Sequence, residues 1–202
     1  MTSDEAARML AGHFGDAIRT TRQFRGEVTV EVDPARLGAI AAWCRDELGF
    51  DYLIDVSSVD HFGEEPRFEV VYELCILSES VHLRLKARLS EDEPVIDSVS
   101  NLWPTADWHE REVFDMMGIR FKGHPDLRRI IMWDGYPYHP LRKDFPLEGK
   151  PSEVPEVAFT NPAPLAGGPF VTAPTTGTTQ VREPRARRPG DLPPEKSFIA
   201  EP

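Results

Sequence analysis

The sequence predicts an α+β fold: a mixed sheet with helices packed on one face, followed by a charged helix, proline-braced interface loops and an extended C-terminal tail. Three observations predict it. Apolar residues alternate with polar ones over Val28-Val30-Val32 and over Val81-Leu83-Leu85-Ala87-Leu89, the period of a half-buried strand. Between them, apolar residues recur three and four apart, the period of a helix with one buried stripe. The composition then shifts near residue 150, where the last 52 residues hold 11 of the 19 prolines.

In chain order, Ser3 is positioned to cap a helix whose Ala6, Leu10 and Phe14 recur at fours, ending at Gly15. A strand at 28–32 follows. Asp33-Pro34 opens a second helix with Leu37, Ile40, Ala41, Cys44 and Leu48 on one face, stopped by Gly49. Residues 50–60 and 67–77 read as strands joined by the turn 61–66, and 81–89 as a fourth strand. A helix is expected from about Ala106 to Met117, closed by Gly118, with loop beyond it. The organisation is therefore 1–101 as an α+β body, 102–150 as a charged helix with loops, and 151–202 as a Pro-rich extended tail. Phe159, Phe170, Phe198 and Ile199 are unusual in a purely solvated tail and favour a strap lying on a partner.

The 202 residues (22.8 kDa) carry 23 Lys and Arg against 34 Asp and Glu, a net charge of -11. That balance argues against general nucleic-acid binding and against unaided adhesion to anionic lipid. Two cysteines, Cys44 and Cys75, cannot supply the ligands of an iron–sulfur cluster or a structural zinc site. The acidic start lacks the basic character of a targeting peptide, and no run approaches the ~20 apolar residues of a membrane span, so a cytoplasmic chain with reduced thiols is expected.

No free-standing catalytic site is evident. His109-Glu110-Arg111-Glu112 begins like a helical zinc motif, but Val113 occupies the position of the second histidine. A small metallohydrolase built on His109, Glu112 and His124 would need stoichiometric zinc. There is no activated serine, no low-pKa cysteine setting and no phosphate-binding glycine loop. Asp55 and Asp60 read as solvated strand-end aspartates. Within the 106–117 helix, Arg111 is spaced to bridge Asp107 and Asp115, either on a solvated face or on a docking face.

The densest pattern is Glu110-Arg111-Glu112-Val113-Phe114-Asp115-Met116-Met117-Gly118-Ile119, then Gly123-His124-Pro125-Asp126-Leu127-Arg128-Arg129-Ile130, then His139-Pro140-Leu141-Arg142-Lys143-Asp144-Phe145-Pro146-Leu147. Pro fixes the backbone while Arg and Asp alternate around apolar anchors. Such loops suit either forks paired with carboxylates across an interface or internal ion pairs wrapping the chain's own sheet. His124 and His139 read as hydrogen-bonded anchors. These runs closely resemble the signature of the 30-kDa, or C, subunit of proton-pumping NADH–quinone oxidoreductase, respiratory complex I. Tyr138 departs from it, standing where that family usually has Gly before His-Pro.

The resemblance implies a core subunit of the hydrophilic arm with no cofactor of its own, the holoenzyme using FMN, iron–sulfur clusters, NADH and quinone. It implies packing against the D (49-kDa) subunit, with the B and I subunits nearby, on the cytoplasmic side of a bacterial inner membrane. It places Glu110, Arg111, Glu112 and Asp115 on the signature helix. His124, Asp126, Arg128 and Arg129 then hold the following loop, Arg142, Lys143 and Asp144 clamp the partner, and His139 is counted with them at the interface. Equivalent subunits of energy-converting hydrogenases and other quinone-linked dehydrogenases share the resemblance, and a stand-alone binding module is the alternative of another class.

Overall fold

Two antiparallel units joined along one parallel seam make the sheet of this computed structural model, which describes residues 1–146. Strands β1 (Ile18–Phe24) and β2 (Glu27–Val32) form a hairpin. Its two-residue turn, Arg25-Gly26, has positive φ at both positions, 53° and 85°. Two successive left-handed residues give the turn whose twist matches its strands. Strands β3 (Tyr52–Asp60), β4 (Phe68–Ile76) and β5 (Val81–Leu89) form an antiparallel meander. β2 pairs with β5 in parallel, so the order is β1-β2-β5-β4-β3.

Helix α1 (Ser3–Phe14) and helix α2 (Leu37–Asp46) place Ala6, Leu10, Leu37, Ile40 and Cys44 in the core. The inward rows Val28-Val30-Val32, Val70-Tyr72-Leu74 and Leu83-Leu85-Ala87 face the same core. The opposite sheet face carries a row of cations on β5. Arg84 pairs with Glu73 and Glu27, Lys86 with Glu69, and Arg88 with Glu64. The mixed sheet with helices on one face is therefore the architecture the sequence predicts.

Helix α3 (Ala106–Met117) packs beside β3 and is flanked by the short parallel strands β6 (Val95–Asp97) and β7 (Arg120–Lys122). Trp103, Ala106, Val113, Met117, Ile119 and Phe121 join the same hydrophobic cluster as the sheet. Among the described residues no helix is long and apolar enough to cross a membrane.

Local details differ from the sequence reading. Thr2, not Ser3, caps α1: its side chain accepts from Glu5 N–H, and Glu5 reaches back to Thr2 N–H (2.8 Å). This reciprocal pair satisfies two of the four orphan donors of a helix start. Asp33 does cap the second helical segment, but the first turn, Pro34–Arg36, is 3₁₀ and the α-helix begins at Leu37. Strand β1 is not visible as an apolar pattern because six of its seven residues are exposed; pairing and turn geometry create it. The stretch after α3 is not all loop, since β7 takes Phe121 into the core beside Ile96 of β6. Leu147 and the expected 151–202 strap lie outside the described residues.

Candidate interaction site in the signature segment

The signature charges are organised around three buried carboxylates, each tying a loop to the folded body. Asp115, on the last turns of α3, has no solvent exposure. One of its oxygens accepts from Arg129 Nη1 (2.5 Å), and the other from the backbone N–H groups of Ile130, Ile131 and Met132 (3.0, 2.7 and 2.8 Å). Burial pushes its pKa up, but those donors outweigh burial and hold the carboxyl below the usual range. The Asp115 carbonyl also accepts from His139 Nδ1 (2.9 Å), so the first and second halves of the signature meet at one residue.

Arg111 does not bridge Asp107 and Asp115. The loop lies over the helix and presents carbonyls, so Nε and Nη2 donate to Arg128 and Arg129 C=O, each at 3.2 Å. Its guanidinium also stacks on Trp108, 5.1 Å from the ring centroid. With Glu110, Arg111 and Asp115 buried, this face of α3 is covered by the chain's own loop rather than by solvent.

Glu110 is the second carboxylate. It accepts from Ser98 Oγ (2.6 Å) and Val99 N–H (2.7 Å), fastening the turn after β6 to α3. His124 Nδ1 accepts from Asp126 N–H (3.0 Å), which fixes Nε2 as the protonated nitrogen donating to the Asp107 carbonyl (3.1 Å). Burial, and next the nearby charge of Glu110 and of Asp97, drives the Tyr72 phenol well above its usual range. Burial raises Glu110 to about 7 from an ordinary 4.5. A raised folded pKa means this group's stabilisation is full below about pH 4.5 and lost as pH rises toward 7. The Glu110→Gln variant keeps an acceptor without the charge. Its stability relative to wild type is expected to rise across that window with a slope near 1.4 kcal/mol per pH unit. Urea unfolding at pH 5, 6 and 7 measures it, and a difference independent of pH contradicts it.

The third centre is Asp60 with Arg67. Asp60 is the last residue of β3, and regular alternation over the four residues from Val56 puts it on the same inward face. The expectation of a solvated strand-end aspartate is corrected: Asp60 and Arg67 are both 2% exposed. Arg67 grips both Asp60 oxygens (2.8 Å each) and reaches Glu91 and Asp144, each at 2.5 Å. Lys143 N–H donates to Asp60 (2.8 Å), so Lys143 and Asp144 are held by the sheet. The Arg67 fork lowers the Asp60 and Asp144 carboxyls, and Asp60 foremost raises the Arg67 guanidinium.

Arg142 and His139 close the base of α3. Arg142 Nε donates to Met117 C=O (2.7 Å) and its guanidinium lies over Phe68, 5.0 Å from the centroid. This fork is used inside the chain, on a helix-end carbonyl. Burial lowers Arg142, with the Arg67 charge adding to it, and burial likewise lowers His139. Gly118 sits between them at φ +77°, where a Cβ would approach His139 Nε2 to 2.6 Å and collide with Arg142 Nη2. Only glycine allows the helix end and the His139–Arg142 turn to come so close.

Of the remaining expected site residues, Asp126 and Arg128 form an exposed pair within their loop (2.8 Å), and the side chains of Glu112 and Lys143 are exposed. His109 pairs with Asp55 (2.9 Å) while His124 faces Asp107, so the three residues of the metallohydrolase alternative do not converge. Among the described residues no group of three or more His, Cys, Asp or Glu is placed to hold a metal. Sequence reasoning alone misses Arg67, Ser98 and Trp108. The period-2 parity of β3 is the available signal for Asp60 and so for its partner.

The chain is similar to known proteins over most of its described length. The profile of the family described as "Respiratory-chain NADH dehydrogenase, 30 Kd subunit" matches residues 30–151. The C subunit of the NADH-quinone oxidoreductase of Geotalea uraniireducens is 45% identical over 151 residues, 75% of this chain and 92% of that protein. The second of the numbered C subunits of the Rhizobium meliloti enzyme is 41% identical over 183 residues, covering 83% of this chain and 100% of that protein. Among solved structures, a trypsin-resistant fragment of Nqo5 superposes with a TM-score of 0.54 at 29% identity, covering 59% of this chain and 97% of the fragment. A chain of the membrane-bound sulfane sulfur reductase, an archaeal respiratory membrane complex, shares the fold (TM-score 0.61, 21% identity, 71% of this chain and 85% of that one). The matched span runs from the second half of β2 through β5, the α3 carboxylates and the loops they anchor, and on that ground the chain belongs to the 30-kDa, or C, subunit family of respiratory NADH dehydrogenase.

Proposed function

We propose that this chain is a core subunit of the hydrophilic arm of a proton-translocating NADH:quinone oxidoreductase, carrying no cofactor itself. In this reading it docks the D (49-kDa) subunit, with the B and I subunits adjacent, and supports assembly around the quinone site. FMN, iron–sulfur clusters, NADH and quinone belong to the holoenzyme. The chain is peripheral, on the cytoplasmic side of a bacterial inner membrane, and reaches the membrane only through the complex.

The observation that carries this reading is the family match across residues 30–151, which includes both signature runs as far as they are described. The geometry supports it physically. Asp115, Glu110 and the Asp60–Arg67 pair fix irregular loops into one shape, which is what a docking surface needs to keep ordering entropy low on binding. The test is affinity purification of the tagged chain from gently solubilised membranes, with the eluate assayed for iron, flavin and NADH:quinone activity. Recovery of a large iron-rich, NADH-oxidising assembly supports the proposal. A large assembly without NADH oxidation assigns the chain to a related membrane dehydrogenase, and a lone colourless protein overturns the reading.

A further inference from the structure

Glu110 differs from the other two buried carboxylates in its company. Asp115 has the Arg129 guanidinium and three N–H donors, and Asp60 has the Arg67 fork. Glu110, with no solvent exposure, has two uncharged donors and no Lys or Arg within ion-pairing distance among the described residues. The basic side chain beside it is His124, equally buried, with Nε2 3.9 Å from Glu110 Oε2. That ring carries no charge in this geometry, because its Nδ1 lone pair is occupied by the Asp126 N–H (3.0 Å). The other titratable groups around the site are acids: Asp107 on α3, Asp97 on β6 and the Tyr72 phenol on β4. Tyr72 Oη is buried and makes no hydrogen bond among the described residues, so it supplies no donor. The cations of the surrounding elements are used elsewhere. Arg45 of α2 goes to Asp46 and the Leu102 carbonyl, Arg111 goes to the Arg128 and Arg129 carbonyls, and Arg120 and Lys122 of β7 are exposed.

We propose that Glu110 is a proton-binding site, its Oε2 taking one proton from solvent while the Ser98 and Ser100 hydroxyls reverse the sense of their hydrogen bonds. The two carboxyl oxygens are not equivalent. Oε1 accepts from Val99 N–H (2.7 Å), a donor that cannot turn round. Oε2 faces Ser98 Oγ (2.6 Å), a hydroxyl able to donate or accept. With Glu110 ionised, Ser98 uses its hydrogen on Oε2, and Ser100 Oγ and N–H donate to Ser98 Oγ (2.8 and 3.2 Å). When Oε2 binds a proton, the new O–H points at Ser98 Oγ and the Ser98 hydrogen swings to Ser100 Oγ. The Ser100 hydrogen then turns outward from a residue that is only partly buried. Hydronium becomes water, carboxylate becomes carboxyl, and no heavy atom has to move. A buried carboxylate without a cation is costly, whereas the protonated group keeps a partner on each oxygen. Burial raises Glu110 to about 7, the Asp107 charge adding to it against the Ser98 and Val99 donors, so the proton exchanges near neutral pH. The site belongs to the chain alone and stands apart from the proposed function.

The experiment follows the protonated-carboxyl C=O band of the full chain by infrared difference spectroscopy through a pH titration, in wild type, Glu110→Gln, Ser98→Ala and Ser98→Thr. The wild type is expected to show a buried carboxyl band that fades as pH passes about 7 and is missing from Glu110→Gln. Ser98→Ala is expected to raise the midpoint by about one pH unit or more, because the ionised form loses a donor. It also moves the band to higher frequency, because the carboxyl O–H loses its acceptor. Ser98→Thr keeps the hydroxyl and returns both values toward wild type, which a merely structural role for Ser98 would not do. If Ser98→Ala does not fold, Ser98→Cys, a weaker donor and acceptor of similar shape, is read instead with shifts of the same sign. A band that fades in the ordinary carboxylate range, or one that persists in Glu110→Gln, overturns the site. A midpoint or a band frequency left unchanged by the Ser98 substitution overturns the assignment of the proton to Oε2.

Discussion

Replacing Asp115 by alanine is expected to destabilise the chain by about 3–5 kcal/mol, because it strands several donors at once. The three consecutive N–H groups of Ile130, Ile131 and Met132 lose their acceptor, and Arg129, with a largely buried side chain, loses its counter-charge. Asp115→Asn keeps one acceptor oxygen but turns an NH₂ group toward donors, so it recovers only part of the loss. Urea unfolding measures the total, and amide exchange locates it. The Ile130–Met132 amides should exchange faster while those of β4 and β5 remain protected. A variant of wild-type stability with unchanged exchange at those three amides would show that the carboxylate does not organise the loop.

The second large effect is expected at Arg67. Arg67→Met leaves the Asp60 carboxylate buried with only the Lys143 N–H as donor among the described residues, at a cost of about 3–5 kcal/mol. Glu91 and Asp144 are half-exposed and regain water, so the penalty belongs to Asp60. The double variant Asp60→Leu with Arg67→Met removes the stranded charge and should recover much of the stability, since an apolar pair of similar volume often replaces a buried ion pair without loss. It does not restore the anchor for Lys143 and Asp144. The double variant is therefore expected to fold well while Lys143 and Asp144 lose their attachment to the sheet, separating fold stability from loop placement. Equal stability of the single and double variants would contradict the argument.

The parts of the fold that are legible in the sequence are those where burial and periodicity coincide. Val28-Val30-Val32 and the Leu37-Ile40-Cys44 stripe show their structure in their spacing because every second residue, or every third and fourth, enters one core. Strand β1 is different, since Thr20, Thr21 and Arg22 are exposed and its existence depends on partners in β2 and on the Arg25-Gly26 turn. The signature segment is recognisable as a pattern but not in its wiring. Spacing along α3 assigns Arg111 to Asp107 and Asp115, whereas a loop more than a dozen residues away supplies the carbonyls it holds. Charge density could equally mean a surface fork or a buried knot, and only the tertiary course of the loop separates the two. Trp108 escapes for the opposite reason: an aromatic on an amphipathic helix is ordinarily core, and its exposure is a property of the fold rather than of its neighbours in sequence.

The parallel seam between β2 and β5 has a consequence for how the chain reaches and leaves this fold. Every other pairing in the main sheet joins strands adjacent in sequence, while Thr29 finds Arg84 only after α2, β3 and β4 have been traversed. The β3–β5 meander can form from near neighbours, but the β1–β2 hairpin must wait for a closure across most of the body, the step with the greatest entropic cost. The seam is thus the slowest boundary of the sheet to form. Partial opening there would free β1 and β2 as a unit. It would leave β3, against which α3 packs, still paired to β4, so the signature surface survives fluctuations at the far edge of the sheet.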